Sequence, residues 1–263
     1  MKYLSLCVDR SRFEIRIILR DRNAVVFMML LPIFLLVIFG SVFASNKIGT
    51  TNVSFSQYIV AGLLASGILY SSFQQFAIAI PEERVTGSLK RLAGSPMPTS
   101  IYFVGKFAVA MFIYTFQAIF LLGIGHFAYH VALPVSASLW VTFIWVSLLG
   151  LVASSLLGIA FSSIPKNGNS AGALTTPIVL FFQFTSGVYF IYTNLPKWMQ
   201  DVAALFPLKW MAQAMRGVFL PREFASAEVA RSYEFPKAAL VMAAWALIGG
   251  LLCSRTFRWL DKG

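Results

Sequence analysis

The chain has 263 residues, of which 58% are hydrophobic and only 12% charged, and its mean hydropathy is +0.76. That composition lies well outside the range of soluble proteins and leaves no stretch for a separate soluble domain. The net charge of +11 is not patterned for nucleic acid, because no basic run is interleaved with aromatic residues; it reads as membrane orientation and lipid contact.

Residues 1–23, MKYLSLCVDRSRFEIRIILRDRN, alternate charge with apolar side chains. They lack the uninterrupted apolar run and small-residue cleavage site of a secretory signal. At about 100° per residue, Ser5, Asp9, Arg12, Arg16 and Arg20 share one stripe, with Tyr3, Leu6, Cys7, Phe13, Ile17 and Ile18 on the other side. The pattern predicts an amphipathic helix over 1–23 in the membrane interface, its arginines toward anionic headgroups. The alternative is a plain basic flank ahead of the first span.

No Asp, Glu, Lys or Arg occurs in 24–46, 48–81, 107–165, 167–196 or 238–254. A spanning helix needs about 20 apolar residues, so each gap holds a span. The gap 107–165 is broken by GHFAYHVALP and holds two. The fold class is an all-α integral membrane protein, one transmembrane domain over 1–263. Its six spans fall near 24–44, 58–80, 102–124, 138–162, 173–192 and 237–256. With the N-terminus inside, cytoplasmic segments carry fourteen Lys and Arg and outer segments seven, six of those in the loop 193–237. The bias favours both termini in the cytoplasm. Cys7 and Cys253 then lie near a reducing face, which disfavours a disulfide. His126 and His130 lack a third metal ligand and read as interfacial anchors, so no metal site is expected.

Between spans two and three stands PEERVTGSLKRLAGSPMP, residues 81–98. Pro81 suits the first position of a helix, Glu82 and Glu83 its first turn, and Lys90 and Arg91 its last. Gly94 suits a left-handed cap, and Pro96 and Pro98 forbid continuation. A cytoplasmic helix over 82–93 follows, with Val85, Leu89 and Leu92 as one apolar stripe and Glu82, Glu83, Arg84, Lys90 and Arg91 fixing its orientation by charge.

The spans contain neutral polar groups and no catalytic set. Tyr70 and Gln74, and Ser71 and Gln75, are one turn apart in span two; Gln117 lies in span three, and Gln183, Thr185 and Ser186 in span five. Two readings stay open: Tyr70, Gln74, Gln75, Gln117, Gln183 and Thr185 line a translocation path, or they make interhelical hydrogen bonds. Gly150, Ser154, Gly158 and Ser162 recur every four residues in span four, a small-residue ridge suited to close helix packing. A glycine-rich loop ending in Lys-Ser/Thr is absent, so the chain is not an enzyme by itself and any ATP is used by another chain.

After span five, 187–224 offers two short helices, one starting at Pro196 and one at Pro207. Each is about half a bilayer long, which suggests an external re-entrant hairpin over 193–220. The alternative is a pair of surface helices with Lys197, Lys209 and Arg216 snorkelling to headgroups.

These two regions together resemble the type-2 permeases of ATP-binding-cassette (ABC) transporters. Glu83, Arg84, Gly87, Ser88, Leu89, Lys90, Arg91, Leu92 and Pro96 match the family's coupling-helix signature, with Ser88 where Thr is commoner, and LPKWMQDVAALFPLKWMAQAMRG is similar to its external hairpin. The resemblance implies a half-transporter in a bacterial plasma (inner) membrane: two copies of this chain with two copies of a separate ATPase subunit that uses ATP and magnesium. It implies that this chain binds no cofactor and that 82–93 transmits the ATPase's motion. Small size and a short external region look like the drug-export branch, typified by daunorubicin resistance. Export of a lipid-linked glycan or glycoconjugate is the second reading within the family; an ATP-independent channel or a membrane-bound enzyme lies outside it.

Overall fold

The computed structural model describes residues 2–20, 22–43, 47–48, 51 and 53–257, with side chains from residue 3 onward except those of 21–29. Arg258 and Lys262, counted above toward the cytoplasmic charge, lie outside the described residues. The described chain is helix and loop, with one isolated bridge between Lys47 and Ser54 and no strand.

Helix α1 (Lys2–Arg20) is followed by α2 (Arg22–Val42), whose stretch Leu30–Val42 is apolar. Among the described residues, four helices are long and apolar enough to cross a membrane: Phe55–Val85, Thr99–Tyr129, Ala137–Phe161 and Phe235–Thr256. The first is composite, made of α3 (Phe55–Leu69), a π turn over Tyr70–Gln74, and α4 (Gln75–Val85). The others are α6, α7 and α11. Helix α8 (Gly168–Thr185) occupies the place of the fifth expected span. It starts earlier than expected because Asn167 and Ser170 form a reciprocal capping box. It also stops earlier: Gly187 takes the left-handed φ of 75° and turns the chain, so Val188, Tyr189 and Tyr192 are buried instead of extending the helix.

Helix α3 is apolar on every side and is accordingly the central element, packed against α2, α6, α7 and the helix Pro207–Phe219. Close approach on its α7 side depends on the small-residue ridge. Gly150 faces Ile68 and Met211, and a Cβ on Gly158 would stand 2.6 Å from the carbonyl oxygen of Phe73. Backbone contact of this kind is how helices associate where burial from water no longer drives them together. Ser154 is buried on the same ridge, and Ser162 presents its carbonyl to Arg84.

Helix α9 (Lys197–Ala204) and α10 (Pro207–Phe219) follow Pro196 and open on Pro207, respectively. Every residue of α10 is buried, and Met211 stands with Ile68, near the end of α3, against Gly150 in the middle of α7.

The expected helix over 82–93 is not one helix. Pro81, Glu82, Glu83, Arg84 and Val85 continue α4, and only Ser88–Ala93 (α5) forms a separate helix. The break is at Gly87, whose φ of 73° provides the left-handed cap; Gly94, with φ −80°, does not. An internal proline loses one backbone bond, but the partners found by Glu82, Glu83 and Arg84 hold the helix beyond it, so tertiary pairing overrides local punctuation.

Candidate functional site

The last turn of α4 carries three consecutive charges, and each reaches a different neighbour. Glu82 Oε2 accepts the backbone N–H of Gly168 at 3.1 Å, placing a carboxylate at the N-terminus of α8, where the helix dipole favours it. Arg84 Nη1 donates to the carbonyl of Ser162 at 3.3 Å, at the C-terminus of α7, where a cation is favoured. Glu83 accepts from the Tyr102 hydroxyl at 2.8 Å and pairs with Lys106, both on α6. Lys106 Nζ lies 2.9 Å from Glu14 Oε2 on α1, and Glu14 also pairs with Arg10. Lys106 and Glu14 are both buried; a buried charge is tolerated only with partners of this kind. One helical turn thus ties α1, α6, α7 and α8 together. Neither Glu14 nor Lys106 stood out in the sequence, where each reads as one more flanking charge.

Helix α5 hangs from this turn. The apolar stripe expected over Val85, Leu89 and Leu92 does not exist. Val85 belongs to α4 and is exposed, Leu89 is fully buried in the protein's own core, and Leu92 packs at the edge of that core. The left-handed Gly87 reverses the chain between Val85 and Leu89, so they cannot share a face. The exposed side of α5 presents Lys90 and Arg91, with Arg91 bonded to the Ser88 hydroxyl at 3.1 Å.

Of the polar span residues, the structure brings Tyr70 and Gln183 together. The Tyr70 hydroxyl lies 3.4 Å from Gln183 Oε1, which also accepts from Tyr189. Tyr189 escaped the sequence reading because it lies in the turn after α8. Gln183 Nε2, Gln74 Oε1 and Gln75 Oε1 are buried without a hydrogen-bond partner among the described residues. Gln117 stands apart against Gly67, and the Thr185 hydroxyl is spent on the carbonyl of Phe181 in its own helix at 3.0 Å. The π turn itself contains Tyr70 and Gln74 and adjoins Gln75; such insertions are frequent at functional sites. Beside it an apolar cleft of about 350 Å³ is lined by residues including Leu69, Phe73, Leu157, Phe182 and Trp245.

At the opposite end of α3, Arg216 is fully buried and pairs with Glu228 through two bonds. Its Nη1 also donates to the carbonyl of Gly187 at 3.3 Å, and its guanidinium stands over the Tyr58 ring at 5.1 Å. The Tyr58 hydroxyl donates to the carbonyl of Phe190 at 3.2 Å and accepts from Tyr192 N–H at 3.1 Å. Snorkelling by Arg216 and Lys209 is therefore overturned, because α10 is inserted among α3, α7 and α11 and its cations have no way out. Lys209 is buried, bonded to Gln213, with Nζ 3.4 Å from the centre of the Trp210 ring. Lys197 alone of the three is exposed, paired with Asp201 at 2.6 Å.

Residues 5–220 match the ABC-2 type transporter family. The chain belongs to that family. It is similar to the "Probable multidrug ABC transporter permease YbhR" of Escherichia coli K12, at 25% identity over 173 residues, covering 64% of this chain and 45% of that protein. It is also similar to the "Inner membrane transport permease YadH" of the same organism, at 23% identity over 184 residues and 70% of each chain. The match to the first relative spans less than half of that protein's length. Members of the family are transporter permeases rather than catalytic subunits.

Proposed function

We propose that this chain is the membrane subunit of an ATP-driven exporter that moves a hydrophobic or amphipathic small molecule out of the cytoplasm or inner leaflet. Two copies of the chain work with two copies of a separate ABC ATPase, which binds ATP and magnesium; this chain binds neither. The six spans are α2, the composite α3–α4, α6, α7, α8 and α11. Both termini face the cytoplasm of a bacterial inner membrane, and α9–α10 form a hairpin re-entering from outside.

One observation carries the reading: the turn Glu82–Glu83–Arg84. An ATPase outside the membrane moves a path inside it only through a stiff connection. That turn ends the central helix, holds α1, α6, α7 and α8 by charge, and continues through Gly87 into α5. A push on α5 is thereby delivered to several helices at once. The exposed Lys90 and Arg91 orient α5 against an acidic partner surface. The apolar cleft beside the π turn and the multidrug name of one relative favour drug-like cargo over a glycoconjugate.

The test is purification of the tagged chain from its native membrane. An ATPase subunit that co-purifies and hydrolyses ATP faster with the chain than without it supports the reading. A chain that binds no ATPase, or leaves its rate unchanged, would falsify it.

A further inference from the structure

Helix α1 has three sides. Glu14 and Arg10 belong to the side that faces α6; Arg10 lies against Gly105, where a Cβ would stand 2.8 Å from its side chain. A second side carries Arg12, Arg16 and Arg20, all exposed, with Asp9 the one carboxylate among them. A third, next to the arginines, carries Leu6, Phe13 and Ile17, each about half exposed, while the Tyr3 hydroxyl reaches Ser100 on α6 at 2.8 Å. An apolar side adjoining a cationic one on an otherwise docked helix fits a bilayer surface, and the excess of arginine over acid selects one with negatively charged headgroups.

The side away from the lipid leads inward. Glu14 holds Lys106, Lys106 holds Glu83, and Glu83 lies one turn before the left-handed Gly87 from which α5 hangs. We propose that anionic phospholipid is a ligand of the α1 surface and that its binding fixes the position of α5 through Glu14, Lys106 and Glu83. Lys106 is a positioning residue in this account: it touches neither lipid nor the ATPase, but it is the only cation, among the described residues, that bridges a carboxylate of α1 and one of α4. Lipid charge then sets how firmly the ATPase is coupled to the spans. That consequence rests on the exporter reading; the lipid site and its link to α5 do not.

The experiment uses the full chain, alone, in nanodiscs of phosphatidylcholine or of an equimolar mixture with phosphatidylglycerol, and follows amide hydrogen exchange of α1 and of 86–93. The anionic lipid should slow exchange in both segments several-fold. The surface variant Arg12→Gln/Arg16→Gln/Arg20→Gln, which removes only exposed side chains, should lose the response in both. Lys106→Met should keep it in α1 and lose it in 86–93, and Lys106→Arg should restore it. No effect of phosphatidylglycerol on the wild type, or an undiminished effect on the triple variant, overturns the lipid site. A response of 86–93 that survives Lys106→Met overturns the link. ATPase stimulation measured in the same discs with the partner separates the two proposals: its absence in both lipids, with the exchange response intact, contradicts the exporter reading and leaves the lipid site supported.

Discussion

Arg216 meets Glu228 through paired bonds, Nε to Oε1 at 2.5 Å and Nη2 to Oε2 at 3.1 Å, with neither side chain more than 3% exposed. The pair joins α10 to the loop before α11 and, through the carbonyl of Gly187, to the end of α8. Removing one member leaves the other charge buried and unpaired, a loss of about 3–5 kcal/mol. Arg216→Met should therefore lower the thermal unfolding temperature in detergent sharply, and Arg216→Met/Glu228→Met should recover part of the loss. An unchanged melting temperature for Arg216→Met would show that the pair is incidental.

Gly158 is where α7 touches the π turn. A methyl there meets the backbone oxygen of Phe73, which cannot rotate aside. Gly158→Ala should cost roughly 1–3 kcal/mol by overpacking. Gly123→Ala, with nothing within 4 Å, should be neutral or slightly stabilising. Equal melting temperatures for the two variants would count against backbone contact at this point.

The glutamines divide into two kinds. Gln183→Leu removes the acceptor shared by Tyr70 and Tyr189 and should destabilise by about 1–3 kcal/mol, the cost of leaving a buried polar group unsatisfied. Gln74→Leu and Gln75→Leu remove oxygens that have no partner and should leave assembly and stability intact. If these residues line the path, cargo selectivity or cargo-stimulated ATPase activity changes in both of the latter variants. Normal transport of every cargo would reduce them to packing residues.

The spans were legible because lipid imposes one simple rule, a long interval free of charge: α7 lies wholly in such an interval, and α3–α4, α6 and α11 lie mostly in one, with Glu82–Arg84, Lys106, Lys237 and Arg255 toward their ends. The register of their ends was not. Pro81, Glu82 and Gly94 carry ordinary local signals for a separate helix, but Gly168 and Ser162, which hold Glu82 and Arg84, are about eighty residues away in sequence. Pattern reading sees neighbours along the chain and misses such partners. Lys106 and Arg216 were misjudged for the same reason: each looks like a basic residue at a membrane edge until Glu14, Glu83 and Glu228 fold against it. The π turn leaves no compositional mark, because its Tyr, Ser, Phe and Gln also occur in the ordinary α-helix before it.

Burial of Leu89 changes how coupling must be tested. Leu89→Asp would place an unpaired carboxylate in the protein's own core, so the expected outcome is failure to insert or fold, detected as loss of membrane-extracted protein. Normal accumulation of Leu89→Asp would contradict the packing of α5 described here.

The direct test of coupling uses the exposed side of the same helix. Lys90→Glu/Arg91→Glu alters two solvent-facing side chains and disturbs no span, so the chain should insert and melt normally. In proteoliposomes holding both subunits, this variant should lose ATPase binding, ATPase stimulation and cargo export together. Wild-type stimulation and export by the charge-reversed chain would show that α5 is not where the ATPase meets the membrane subunit.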